Sequence, residues 1–97
     1  MVMTFLEGRV LKENWSALEQ AFKRGSDHID AGLERSYLIH AARDSDVWRI
    51  LTIWSSREVL DEMRRSVDTP LEVLIFRNAN SEPVLSVFDI VQQITPE

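Results

Sequence analysis

Three stretches of the chain alternate as β-strands do, yet carry apolar residues on both sides of the alternation. In the first, Met3, Phe5 and Leu11 oppose Leu6 and Val10. In the second, Trp48 and Ile50 oppose Leu51 and Ile53, and in the last, Leu85 and Val87 oppose Phe88 and Ile90. An antiparallel sheet with one wet face reads apolar on one side of each strand only. A sheet built from these segments therefore has two faces that must leave water. This requirement restricts the architecture more than any other feature of the sequence.

The remaining elements follow from period and end signals. Met1–Leu11 reads as a first strand, with Thr4, Leu6, Gly8 and Val10 on one side. Gly8 is a weak spot in a strand unless something approaches the backbone closely there. The stretch "NWSALEQAFKRG" places Trp15, Leu18 and Phe22 at helical spacing beside Ala21; Asn14 is the expected N-cap and Gly25 the expected left-handed C′ residue. A polar connection, "SDHIDAGLE", leads to a hairpin of Tyr37–Ala41 and Val47–Trp54, closed by Asp44, Ser45 and Asp46. The period then switches from two to 3.6. Ser55 and Glu58 predict a capping box, and Leu60, Met63 and Val67 continue the helix. Thr69, Pro70 and Glu72 predict a second cap, with Val73 and Phe76 on one face of a short helix. Residues 78–83 read as a loop and Val84–Val91 as a last strand. Residues 91–97 form a tail that frays or lies along a partner chain.

The order is βαββαβ, a ferredoxin-like α+β arrangement with one four-stranded antiparallel sheet. Right-handed crossovers place the helices on one face. Because the strands are apolar on both sides, the other face would expose more than the few hundred Å² of apolar surface that a soluble monomer tolerates. The expectation is a homodimer joined sheet to sheet.

Ninety-seven residues make one domain, residues 1–97. The chain has no cysteine, which removes disulfides, thiolate catalysis and Cys-ligated metals, and accords with a cytoplasmic setting. A net charge of −5, with basic residues scattered among acidic ones, speaks against a nucleic-acid surface. No apolar run approaches the ~20 residues needed to cross a bilayer. The N-terminus meets charge at Glu7 and lacks a basic leader, so it reads as a strand rather than a signal peptide. No membrane partner is expected.

The stretch "RILTIWSSREVLDEM", a hydrophobic strand ending in Trp54 and followed by a serine and a helix, is similar to a pattern of the antibiotic biosynthesis monooxygenase family. The stretch "AGLERSYLIHAARDSDVWRI" likewise resembles that family's Gly-initiated second strand and its turn into the third. The resemblance covers nearly the whole chain and implies the dimeric α+β barrel fold. It implies a cofactor-independent monooxygenase, with no metal, flavin or nicotinamide, acting on a small aromatic, phenolic or quinone-like molecule. The alternative is a non-catalytic ligand-binding or structural homodimer of the same fold. The family's haem-degrading branch wants an Asn near the end of the first strand, a Trp in the helix after Trp54, and a His beyond it. Gly8, Met63 and Val73 stand at those places, which speaks against haem.

Each candidate has a plain structural reading beside its chemical one. Trp54 reads first as mortar between sheet and second helix, and second as a pocket wall aiming its indole N–H at a substrate oxygen. His40 is the histidine within predicted regular structure and a weak candidate proton acceptor; His28 lies in the polar connection. Arg49 points into an apolar face, to pair with Glu7 or Asp89 or to hold a substrate anion. Trp48 and Tyr37 read as core or interface aromatics. A substrate pocket between helices and sheet would be lined by Gly8, Phe22, Trp54, Met63 and Phe76, which would otherwise fill the core. Asp27, His28 and Asp30 lack the spacing of a metal site, and no phosphate loop or nucleophile elbow is present.

Overall fold

The computed structural model describes residues 1–25, 27 and 32–96. Strands β1 (Val2–Arg9), β2 (Leu33–His40), β3 (Val47–Trp54) and β4 (Val84–Asp89) form one antiparallel sheet in the order β2-β3-β1-β4. Helices α1 (Trp15–Gly25), α2 (Arg57–Ser66) and α3 (Leu71–Asn78) complete the ferredoxin-like α+β fold. The polar connection, with His28 and Asp30, lies outside the described residues apart from Asp27.

The register sorts the apolar residues as the alternation requires. Val2, Thr4, Leu6, Gly8 and Val10 of the first strand and its extension are buried, as are Trp48, Ile50, Thr52 and Trp54 of β3. These form the helix-covered face. Met3, Phe5, Leu51, Ile53, Tyr37, Ile39 and Phe88 occupy the other side. No element of the described chain covers that side, and Phe88 is left 53% exposed.

The core has two parts. The larger gathers Leu6, Val10, Leu18, Trp48, Ile50, Ile75 and Phe76 beneath α1 and α3, with Phe22 packed against it. The smaller holds Val2, Trp54 and Leu60 beneath α2, with Val59 and Met63 alongside.

Several helix ends differ from the sequence expectation, each for a local reason. A 3-10 turn over Lys12–Asn14 precedes α1, so Asn14 belongs to that turn rather than capping the helix; the Trp15 indole N–H instead ties the junction to the Val10 carbonyl at 2.9 Å. Gly25 is the last residue of α1 and does not have a positive φ. Its lack of a Cβ matters for packing, since one would stand 3.3 Å from Ile75 and Leu71 of α3. The cap of α2 is Ser56, whose hydroxyl accepts from the Val59 N–H at 3.2 Å. Ser55 is still engaged with the sheet through its N–H to the Gly32 carbonyl, so the cap slips by one residue and Glu58 cannot complete the box. Val67 lies past the end of α2 in extended conformation. Pro70, not Thr69, caps α3, its carbonyl accepting from Val73 and Leu74. The left-handed residue at a helix end is Asn80 (φ 58°), where Ser81 N–H to Phe76 carbonyl and Asn80 N–H to Arg77 carbonyl close the last turn of α3.

Candidate functional site

Trp54 ends β3 opposite Val2 and Leu33, so its indole lies on the helix-covered face under α2. It is 1% exposed, and its N–H donates to the Thr4 hydroxyl at 3.1 Å. Beside this pair is a cavity of about 30 Å³ between α2, α3 and the sheet. Thr4 and Leu6 lie along its sheet side, and Trp54, Met63 and Val73 help to wall it. Arg64 of α2 and Glu72 of α3 also border it, and Leu85, 40% exposed, places it near the β4 edge of the sheet. This volume has room for one or two water molecules; an aromatic ring needs a cavity nearer ~150 Å³.

The sequence candidates fall in different places. Trp54 and Met63 meet at this cavity. Gly8 lies instead under the last turn of α3, where a Cβ would stand 2.8 Å from the Phe76 ring; Phe76 fills that space and is fully buried. Phe22 packs against the same larger core. His40 stacks flat on Trp48 (ring centroids 3.9 Å apart, planes 7° apart) with Trp15 edge-on. Its Nε2 lies 2.7 Å from the Ser45 carbonyl, which can only accept, so Nε2 carries the hydrogen. His40 thus braces the hairpin, away from the cavity. Trp48 is buried in the larger core, and its indole N–H has no partner among the described residues. Arg49 is on the uncovered face, its Nε 2.6 Å from Glu7 and its guanidinium 5.9 Å from the Phe5 ring centroid. Phe5 meets Phe88 edge-on, and these residues surround an open depression of about 290 Å³.

One feature of the site has no counterpart among the sequence candidates. Ser36, Thr52 and Thr4 lie side by side on β2, β3 and β1, in one row across the covered face. Thr52 and Thr4 are almost wholly buried, and the Ser36 and Thr52 hydroxyls are 2.9 Å apart. The row crosses the sheet between the two parts of the core. The sequence signal for it was a hydroxyl residue, Thr4, at a position flanked in period two by Val2 and Leu6. Among the described residues no group of His, Cys, Asp and Glu is arranged to hold a metal ion. No helix among them is long and apolar enough to cross a membrane.

No family's sequence profile matches the chain. Neither does any curated protein. Solved structures do resemble it. A Deinococcus radiodurans protein provisionally named an antibiotic biosynthesis monooxygenase superposes with a TM-score of 0.75 at 11% identity, over 100% of this chain and 99% of that one. SnoaB, a cofactor-independent oxygenase from Streptomyces nogalater, gives 0.67 at 17% identity over 99% and 98%. The heme-degrader MhuD of Mycobacterium tuberculosis, with two hemes bound in its active site, gives 0.72 at 14% over 98% and 100%. At these identities the likeness establishes the fold that the chain shares with them.

Proposed function

We propose that the chain is a homodimer whose cavity beneath α2 is a small-molecule site of the cofactor-independent oxygenase kind, for a small aromatic phenol or quinone-like molecule. The observation that carries this reading is the cavity itself: largely apolar walls bordered by Arg64 and Glu72, a buried hydroxyl on its sheet side, and Trp54 beside it. The shared fold with a cofactor-independent oxygenase supports it.

An electron-rich phenol, once deprotonated, can deliver an electron to O₂. One oxygen atom then enters the substrate and the other leaves as water, with both electrons drawn from the substrate. The protein's share is a dry enclosure, a proton acceptor and donors directed at the developing oxyanion. Entry of a ring requires α2 to move outward. Its attachment is thin enough for that: Leu60 is the fully buried residue of α2, and Val59 and Met63 are half-buried.

The uncovered face supports the homodimer reading: there Phe88 and Val84 are 53% and 69% exposed beside half-buried Met3, Phe5, Leu51 and Ile53. The charges near its centre, Arg49 and Glu7, already satisfy each other, so the face can close on a second copy without stranding an ion.

A second reading, a non-catalytic dimer, is favoured by the water-sized cavity and by the engagement of the Trp54 N–H with Thr4. Incubation with phenol and hydroquinone panels under ¹⁸O₂ separates the two. Label in a quinone product supports catalysis, and no label in any product supports the second. Among the described residues no imidazole borders the cavity, and His40 is held against Trp48, which speaks against haem. Titration with haemin should give no Soret band of a bound complex.

A further inference from the structure

We infer that the unpaired edge of β4 receives the C-terminal tail of a second copy of this chain, so that each copy's tail closes the other's cavity on its β4 side. The inference rests on the homodimer reading.

The two edges of the sheet are β2 and β4. An edge strand is ordinarily guarded against another chain by charge, proline or a bulge. β2 has such guards: Glu34 and Arg35 are exposed on it, and its register shifts between Leu33 and Arg35. β4 has none between Val84 and Phe88, and its one charge, Asp89, is paired with Arg57 of α2 at 3.0 Å. The pairing with β1 fixes which groups this edge offers. The Ile90 N–H donates to the Met1 carbonyl, so in the antiparallel alternation Phe88, Ser86 and Val84 also bond to β1. The backbone N–H and C=O groups of Leu85 and Val87 therefore point away from the sheet, and among the described residues no strand meets them.

The tail supplies what such an edge takes. Residues 91–95, "VQQIT", carry no charge and include three β-branched residues. Val91 and Ile94 are 86% and 94% exposed, more than any other large apolar residue of the described chain. Folding onto its own β4 would need a reversal directly after Ile90, which is still bonded to Met1, and the segment has no Gly, Asn or Asp to make that turn. Residues 91–97 reach at most ~23 Å in extended form. The gap between two packed sheets takes ~10 Å of that, which leaves the end of the tail to lie along the β4 edge of the other copy.

The cavity is what this pairing completes. Leu85 stands opposite Leu6 on the covered face and borders the cavity, yet it is 40% exposed. A strand laid against Leu85 and Val87 covers that exposed side with Ile94 and its neighbours. The outer wall of each copy's cavity then comes from the other copy.

The test compares amide hydrogen exchange in the full chain and in a chain ending at Ile90, with the mass of each read by sedimentation equilibrium. The Leu85 and Val87 amides should exchange roughly tenfold more slowly in the full chain, the worth of one hydrogen bond. The Ser86 and Phe88 amides, already bonded to β1, should exchange alike in both. Ile94→Asp supplies the same comparison should the shortened chain not fold. In a full-length dimer refolded from ¹³C-labelled and unlabelled copies, NMR should show Ile94 of one copy against Leu85 of the other. A dimer whose Leu85 and Val87 amides exchange equally fast with and without the tail, or whose Ile94 contacts lie only within one chain, overturns the tail's place and leaves the homodimer standing. A single-chain mass for the full chain overturns both.

Discussion

Replacing Gly8 by alanine tests whether this glycine serves packing or a binding space. An added Cβ would stand 2.6 Å from Ser81 Oγ and 2.8 Å from Phe76 Cδ1. Carbon atoms pack at ~3.5 Å or more, so the ring must retreat by about 0.7 Å. Phe76 has nowhere to go: it is fully buried among Leu6, Val10, Ile50 and Ala79. Nor can the last turn of α3 swing away freely, because the Ser81 N–H is bonded to the Phe76 carbonyl at 3.0 Å. Overpacking of this kind costs ~1–3 kcal/mol, and removing a glycine from a strand returns ~0.5–1 kcal/mol. The net destabilisation should be about 1–2 kcal/mol, read by urea unfolding at one fixed protein concentration. The same substitution in a Phe76→Leu background should cost less, since the offending ring edge is gone, and the difference is the coupling energy of the pair. A Gly8→Ala chain as stable as the wild type, or an equal cost in both backgrounds, would refute the close-approach argument and return Gly8 to the list of pocket residues.

Three further outcomes follow from the structure. Ser56→Ala should lose about 1 kcal/mol of stability through the α2 cap, whereas Ser55→Ala should stay within ~0.5 kcal/mol in the same denaturation assay. Phe88→Glu, on the uncovered face, should convert a dimer to the single-chain mass in sedimentation equilibrium; an unchanged mass would remove that face from the interface. Arg77, by hydrogen bond and charge, holds the Glu82 carboxyl below its ordinary value of 4.5. A carboxylate whose pKa is depressed on folding stabilises the protein above 4.5 and loses that contribution as pH falls through the lower folded value. Glu82→Gln should therefore be slightly less stable than the wild type at pH 7 and equal to it at pH 2, the effect being small because the pair is exposed.

The fold was legible because its determinants are local and periodic. Alternation assigned each of Met3 to Val10 to a face before any pairing was known, and the burial of Thr4, Leu6, Gly8 and Val10 follows it. Alternation also narrowed the partner of Arg49 to Glu7 or Asp89, and the register decides for Glu7, opposite Arg49 on the neighbouring strand, while Asp89 pairs with Arg57. Helix ends were less legible. Whether Ser55 or Ser56 caps α2 depends on how far the sheet still claims the backbone, here through the Gly32 carbonyl, a contact made across 23 residues of chain. The pocket list suffered more. Gly8, Phe22 and Phe76 all face the helices, but which helix lies over which residue is a tertiary fact, and α3 closes over Gly8 while α2 leaves space beside Trp54.

The hydroxyl row shows why the site needs register to be read at all. Ser36, Thr52 and Thr4 are 16 and 48 residues apart in sequence, and each alone is an ordinary strand residue. Only the pairings Ser36 to Thr52 and Thr52 to Thr4 bring them into one line. That line separates two regions of unequal firmness. On one side α1 and α3 pack Leu18, Ile75, Phe76 and Ala79 down to 4% exposure or less. On the other, α2 commits a single fully buried residue, Leu60, to the sheet. Local opening takes place where few apolar contacts must be broken. Helix α2 is thus the helix held least, and the polar row lies at the boundary between it and the firmer part of the core.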